Sequence, residues 1–187
     1  MRLVIQRVLE AGVSVGGQQI SQIKQGMLIL LGITPGDNSE TVKKYVNKVL
    51  KLRIWPEIVK KPAQEPKEKT DGETDKKEEE KVSDTSSENS TPGRAPKTWD
   101  SNVVDNGFEI LVVSQFTLYG ILKGNKPDFH LAMNPDDAIK LYDEFVNLLK
   151  SSYKPEKIQT GKFGEYMHVN LVNDGPVTLI IDSEKDK

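Results

Sequence analysis

Strand-like patterning opens the chain at Leu3 to Val8, and recurs at Gly12 to Val15 and Gln18 to Ile23. The last two are joined by Gly16-Gly17, a pair that tolerates the positive φ angles of a two-residue hairpin. Gly26 to Ile33 is a near-continuous apolar run of strand length, which predicts a strand buried on both faces. Asp37-Asn38-Ser39-Glu40 has capping-box spacing, with Asp37 as N-cap and Glu40 at N3. It predicts a helix whose apolar stripe is Val42, Tyr45, Val46, Val49 and Leu50. A second helix is predicted from Asn134, with Pro135 in its first turn and Asp136 and Asp137 at the positive end of its dipole. Its buried stripe is Ala138, Leu141, Tyr142, Phe145, Leu148 and Leu149. Phe108 to Gln115, His168 to Val172 and Val177 to Asp182 complete the strands. Two main helices serving about eight strands predict a layered α/β/β fold with mixed and antiparallel sheets.

Residues 62 to 98 do not fit this pattern. They run from Pro62-Ala63-Gln64-Glu65-Pro66 through Lys, Glu, Asp, Ser and Thr to Thr91-Pro92-Gly93-Arg94-Ala95-Pro96, with Val82 almost alone as an apolar side chain. Such a segment buries too little apolar surface to offset the entropy of ordering it, which predicts a disordered insertion at about 62–97 in one domain spanning 1–187, with a charged tail at 184–187. A solvated loop and a docking or phosphorylation segment around Ser83 to Thr91 both fit that composition. A long surface loop costs little, because closure entropy grows only with the logarithm of its length.

Dividing the charge changes its meaning. The chain has 26 basic and 28 acidic residues, and residues 62 to 98 take 7 and 10 of them, leaving a body of 19 and 18. A near-neutral body has no broad basic field for non-specific nucleic-acid binding, so any RNA contact must be local. The absence of cysteine excludes disulfides and thiolate zinc sites and suits a reducing compartment, which together with the lack of a bilayer-length apolar run or a signal h-region predicts a cytoplasmic protein with no membrane partner.

Two stretches carry candidate chemistry. Ser114-Gln115-Phe116-Thr117-Leu118-Tyr119 follows the apolar run Ile110 to Val113 and sets short polar side chains at the end of a buried strand. Asn173-Asp174-Gly175-Pro176-Val177-Thr178 interrupts two β-rich runs with a residue that has no N–H to give a ladder. It is either an ordinary turn between strands or a rigid main-chain fixture, including a cis Gly-Pro bond, that presents carbonyls to a ligand. His130 and His168 lack the spacing of a zinc site, Ser114 lacks nucleophile-elbow glycines, and neither Gly16-Gly17 nor Gly161-x-x-Gly164 has the context of a phosphate-binding loop. No metal and no cofactor is expected.

Together the two stretches resemble the signature motifs of the D-aminoacyl-tRNA deacylase family. Met1 to Val8, Lys123-Gly124-Asn125-Lys126-Pro127-Asp128-Phe129 and Gly161-Lys162-Phe163-Gly164-Glu165-Tyr166-Met167 agree, and the resemblance covers residues 1 to about 56 and about 98 to 183. Asp128 and Gly120 depart from it, standing where serine and alanine are frequent. Leu52-Arg53-Ile54-Trp55 and Thr98-Trp99-Asp100 resemble one hairpin of the family with its loop lengthened by the insertion.

The resemblance implies hydrolysis of the ester of D-aminoacyl-tRNA, and of glycine mischarged on tRNA(Ala), as chiral proofreading. It assigns catalysis to Ser114, Gln115, Phe116 and Thr117, and chiral selection and substrate binding to Gly175, Pro176, Asn173, Ala132, Phe163 and Met167. It implies a homodimer in which a cis Gly175-Pro176 enters the partner's site. Thr117 is either a covalent nucleophile, with no neighbouring base visible in the sequence, or a hydrogen-bonding residue. Phe163 and Met167 either pack on the terminal adenine or belong to the core. The alternatives in function are a non-catalytic nucleic-acid-binding module on the same fold, and a hydrolase of another D-amino-acid ester or amide.

Overall fold

One strand, β1, runs unbroken from Arg2 to Val15 and organises the sheet. The structure is a computed structural model and describes residues 1–58 and 97–186. The expected disordered insertion therefore lies outside the described residues, apart from Lys97. After β1 come β2 (Gln18–Ile23), β3 (Gly26–Gly32), helix α1 (Ser39–Lys51), the one-turn helix α2 (Val103–Asn106) and β4 (Glu109–Ser114). The short strands β5 (Ile121–Lys123) and β6 (Lys126–Asp128) form a separate hairpin, then helix α3 (Pro135–Ser152), β7 (Ile158–Thr160) and β8 (His168–Asp182) close the fold.

The main sheet has the order β2-β1-β3-β4-β7, with β8 also paired to β1. β1 is antiparallel to β2, β3 and β8, whereas β3 with β4 and β4 with β7 are parallel, so the sheet is mixed as expected. The first half of β1 lies between β3 and the end of β8, and its second half between β2 and the start of β8. The two long strands thus pass from the central sheet into a second β layer.

Side-chain alternation divides the core between those layers. On β3, Met27, Ile29 and Leu31 face the helices, packing with Ile110 and Val112 of β4 and with the α1 and α3 stripes. Leu28 of β3 and Leu111 and Val113 of β4 face the other way, against Val8, Ala11, Val13 and Ile23. This is the expected α/β/β layering, and it explains why β3 reads as continuously apolar.

The α1 stripe is buried as its periodicity predicts. On α3, Ala138, Tyr142, Phe145 and Leu149 are buried as predicted, Val146 joins them, and Leu141 and Leu148 are half-buried at the edge of the core.

Several boundaries differ from the sequence reading. The strands read at Leu3 to Val8 and Gly12 to Val15 are one, because a register shift between Arg7 and Glu10 bends β1 without ending it. His168 to Val172 and Val177 to Asp182 are likewise one strand. The α1 N-cap is Asn38, whose side chain accepts from the Glu40 and Thr41 amides at 3.0 Å, with Thr41 closing the box. Asp37 is unavailable for capping: it accepts the Thr34 amide at 2.9 Å and meets the buried Met1 amino group, which Ser183 also accepts. After β8, Asp186 accepts from Tyr45 Oη at 3.2 Å. Asn102 and Asp105 build a capping box for α2, which the sequence reading missed.

The hairpin expected from Leu52 to Trp55 and Thr98 to Asp100 is a single bridge between Trp55 and Ser101, extended by the Glu57 amide donating to the Lys97 carbonyl at 2.8 Å. Glu57 and Lys97 thus lie side by side.

Replacing Asn38 with alanine is expected to cost about 1 kcal/mol in urea denaturation, the typical worth of an N-cap. Glu40→Ala, which a box on Asp37 would make costly, should leave the midpoint almost unmoved.

Candidate active site

β4 ends at Ser114, and the chain turns at once into a 3₁₀ turn over Phe116–Tyr119. The turn is anchored to the sheet by the Gln115 amide, which donates to the Leu31 carbonyl at 2.8 Å. Gly32 lets it pass, since a Cβ there would stand 3.0 Å from Leu118 Cβ and 3.1 Å from the Gln115 carbonyl oxygen. Within the turn the Leu118 amide donates to Gln115 and the Gly120 amide to Thr117, while the amides of Phe116 and Thr117 have no acceptor among the described residues. Such leading amides are the unsatisfied donors of any helical turn. Gln115 Nε2 donates to Thr117 Oγ1.

A cavity of about 770 Å³ opens beside this turn. Its wall from β4 and the turn comprises Val113, Ser114, Gln115, Phe116 and Thr117. Its floor is the segment leading into α3, with Ala132, Met133 and Asn134, and the first residue of that helix, Pro135. Two bonds from the end of β3 hold that floor, Met133 N–H to the Ile33 carbonyl and Thr34 Oγ1 to the Leu131 carbonyl, each 2.9 Å. The third wall is the stretch Phe163 to Met167. Met167 folds back over Gly161, whose added Cβ would lie 2.7 Å from the methionine sulfur, and accepts the Lys162 amide at 3.3 Å. Phe163 leans on Tyr142, ring centres 5.5 Å apart, and burial pushes the Tyr142 hydroxyl up from its ordinary range while it donates to the Val112 carbonyl at 2.9 Å.

Seven of the ten residues singled out in the sequence therefore meet in one cavity: Ser114, Gln115, Phe116, Thr117, Ala132, Phe163 and Met167. Phe163 and Met167 each line the cavity and also pack against a core cluster. Phe129, which meets Phe116 edge-on at 5.1 Å, was missed, as were Tyr166 and the α3 residue Ala138. Gly120 makes room for that pair, because a Cβ there would stand 2.9 Å from the Phe129 ring. Asp128 ties down the adjoining hairpin: bonds from Lys123, first, and from His130 hold its carboxyl well below the usual carboxylate range.

Asn173, Gly175 and Pro176 do not line the cavity. They lie on β8 where Arg7 pairs with Val177 and Val8 with Asn173, so residues 174 to 176 loop out of the ladder. The Gly175-Pro176 bond is cis, and the segment is an excursion within one strand rather than a turn between two. Gly175 and Pro176 are exposed, and Gly175 has a φ of 116°, a conformation that favours glycine. Arg7 pins the loop, its Nε donating to the Asp174 carbonyl at 3.2 Å and pairing with the Asp174 carboxylate at 3.1 Å, while Nη1 donates to the Ile54 carbonyl at 2.5 Å. Sequence reasoning missed Arg7, although a cation in the parity of buried Leu3 and Ile5 is a polar residue on a core-facing row.

The cavity is lined mainly by apolar groups, and its only titratable lining residues among the described ones are Glu165 and Tyr166. Elsewhere, no three His, Cys, Asp or Glu gather among the described residues. No helix of the described chain is long and apolar enough to cross a membrane.

The family model described as D-Tyr-tRNA(Tyr) deacylase matches residues 4–74 and 68–182. This chain belongs to the D-aminoacyl-tRNA deacylase family. It is 40% identical to the D-aminoacyl-tRNA deacylase of Dictyostelium discoideum, over 99% of each chain. It is also 40% identical to D-aminoacyl-tRNA deacylase 1 of Mus musculus, over 98% of this chain and 70% of the relative. A solved structure described as c-Myc DNA Unwinding Element Binding Protein is 39% identical, with a TM-score of 0.75 over 98% of this chain and 99% of that one. A probable eukaryotic D-amino acid tRNA deacylase, 15% identical with a TM-score of 0.67 over 96% and 97% of the two chains, shares the fold.

Arg7→Ala is expected to destabilise the protein by about 1.5 to 3 kcal/mol, the worth of hydrogen bonds to a charged group. It should also raise amide exchange at residues 173 to 177. Arg7→Lys should not restore protection, because an ammonium lacks the fork that spans Asp174 and Ile54.

Proposed function

We propose that this chain hydrolyses the ester of D-aminoacyl-tRNA in the cavity beside Ser114 to Thr117, and that glycine mischarged on tRNA(Ala) is a second substrate. The observation that carries the reading is the meeting of seven residues singled out by the family resemblance in a cavity of about 770 Å³, a size suited to an aminoacyl-nucleoside. An aminoacyl ester is already reactive, so a site that orients it, admits one water and offers donors to the developing oxyanion needs no acid–base pair. The free amides of Phe116 and Thr117 are the donors in this reading. Thr117, held by Gln115, orients substrate or water, and the substrate's own 2′-hydroxyl assists.

Gly175 and Pro176 supply the chirality from a partner subunit in a homodimer. Their exposure, their excursion from the ladder and their absence from their own subunit's cavity lining support this reading. Main-chain carbonyls that meet the substrate ammonium leave no room for an L side chain, and discrimination by backbone contact spares the site a side-chain pocket. Many D-residues, and glycine, then pass the same test. Residues 1–187 form one domain in this reading, with 62–97 as an insertion at the Trp55–Ser101 bridge.

The relative described as a DNA-unwinding-element-binding protein favours a second reading, a non-catalytic nucleic-acid-binding module. The two motifs together, Ser114 to Thr117 and the looped-out Gly175-Pro176, favour the hydrolase instead, because a module that only binds has no chemical need for both.

Matched D- and L-aminoacyl-tRNA separate the readings. The D-ester should be hydrolysed and the L-ester spared; hydrolysis of neither, or of both alike, contradicts the proposal. Thr117→Ala should slow the D-reaction about 2- to 15-fold, the value of one neutral hydrogen bond. A covalent aminoacyl-enzyme trapped at Thr117 and seen by mass spectrometry would return it to the role of nucleophile.

A further inference from the structure

Tyr166 is 82% exposed, more than any other large apolar or aromatic side chain among the described residues, yet it lies on the wall of the cavity. Its neighbours explain why the ring stays outside. Phe163 and Met167 turn inward to the core, and Gly164, at a φ of 75°, tightens the bend between them. His168 at the start of β8 meets the tyrosine ring edge-on, centres 5.5 Å apart at 78°, and supports it from the sheet side. The Glu165 carboxylate beside it is paired with Lys162 at 3.2 Å, so an approaching phosphate does not meet a lone negative charge. An exposed aromatic face on a rigid turn at the mouth of a nucleoside-sized cavity is the arrangement by which proteins hold unpaired nucleotides.

From this geometry we infer that Tyr166 is a stacking platform for the nucleotide immediately 5′ of the terminal adenosine. The inference rests on the proposed function, in which the cavity takes the aminoacyl-adenosine. A cavity of about 770 Å³ filled by that group leaves the preceding nucleotide at the mouth, where Tyr166 stands. Tyr166 is then a positioning residue: it contributes to binding through the penultimate base and touches none of the reacting atoms.

Binding of adenosine and of the dinucleotide cytidylyl-adenosine to the full-length protein tests this without hydrolysis. In wild type the added cytidine should tighten binding about 5- to 150-fold, the range of one base–aromatic stack. Tyr166→Ala should remove that gain, leave adenosine binding and the melting temperature unchanged, and raise KM but not kcat for D-aminoacyl-tRNA. Tyr166→Trp should keep the gain. If Tyr166→Ala weakens adenosine and the dinucleotide equally, or leaves the gain from cytidine intact, the platform is refuted. It is also refuted if Tyr166→Ala loosens the oligomer in sedimentation, because the ring is then covered by a partner subunit. Wild type that shows the cytidine gain without deacylating any substrate would refute the proposed function and leave the platform standing.

Discussion

Three residues of β8 have no partner on β1, and the architecture of the site follows from that mismatch. Up to Arg7 the strands pair in one register, ending at Val177; from Val8 they pair in another, beginning at Asn173. A shift of this kind disrupts the ladder locally and bends the strand. Here it does both: the long strands leave the helix-covered sheet for the second β layer, and residues 174 to 176 project outward. Arg7 makes the excursion tolerable by giving its charged fork to the Asp174 carbonyl, the Asp174 carboxylate and the Ile54 carbonyl, so the looped backbone is tethered from below.

The same layering creates the cavity. β4 is paired on both sides, yet ends at Ser114 with its apolar run spent, and the 3₁₀ turn that follows meets the start of α3 and the Phe163 to Met167 bend. All three walls are held by main-chain bonds to β3 and β4 or by close glycine contacts, so the donors of the turn are oriented before any ligand arrives. In the proposed reading, preorganised dipoles are the main means of catalysis in a cavity whose titratable lining residues, among the described ones, are Glu165 and Tyr166.

Much of this is legible in the sequence, and the failures have physical causes. The α1 stripe and the doubly buried β3 were readable because helix and strand periods survive folding intact. Of the two motifs, Ser114 to Thr117 lie together on the cavity wall, whereas Asn173, Gly175 and Pro176 lie outside it. The N-cap was misread because Asp37 and Asn38 are both good caps, and a tertiary contact, the buried Met1 amino group, claims Asp37. The continuity of β1 and of β8 was missed because Leu9-Glu10 and Asp174-Gly175-Pro176 read locally as breaks, while pairing along the partner strand carries each across. Tyr166 and Phe129 carry no local signal, since their position at the cavity depends on where distant elements meet. The segment at 62–97 had a clear compositional signature, but it falls almost wholly outside the described residues.

In the proposed homodimer one subunit's cavity is completed by the other's Gly175-Pro176 loop, and subunit complementation is the sharpest test of that. One chain would carry Ala132→Phe, which fills the cavity floor, and the other a deletion of residues 174 to 176, which removes the loop and evens the register. Each homodimer should be inactive. Chains mixed in equal amounts under conditions that allow exchange should recover about one quarter of wild-type deacylation, because half of the dimers are mixed and each has one intact composite site. Full activity of the loop-deleted homodimer, or no recovery from a mixture shown to contain mixed dimers, would contradict the account.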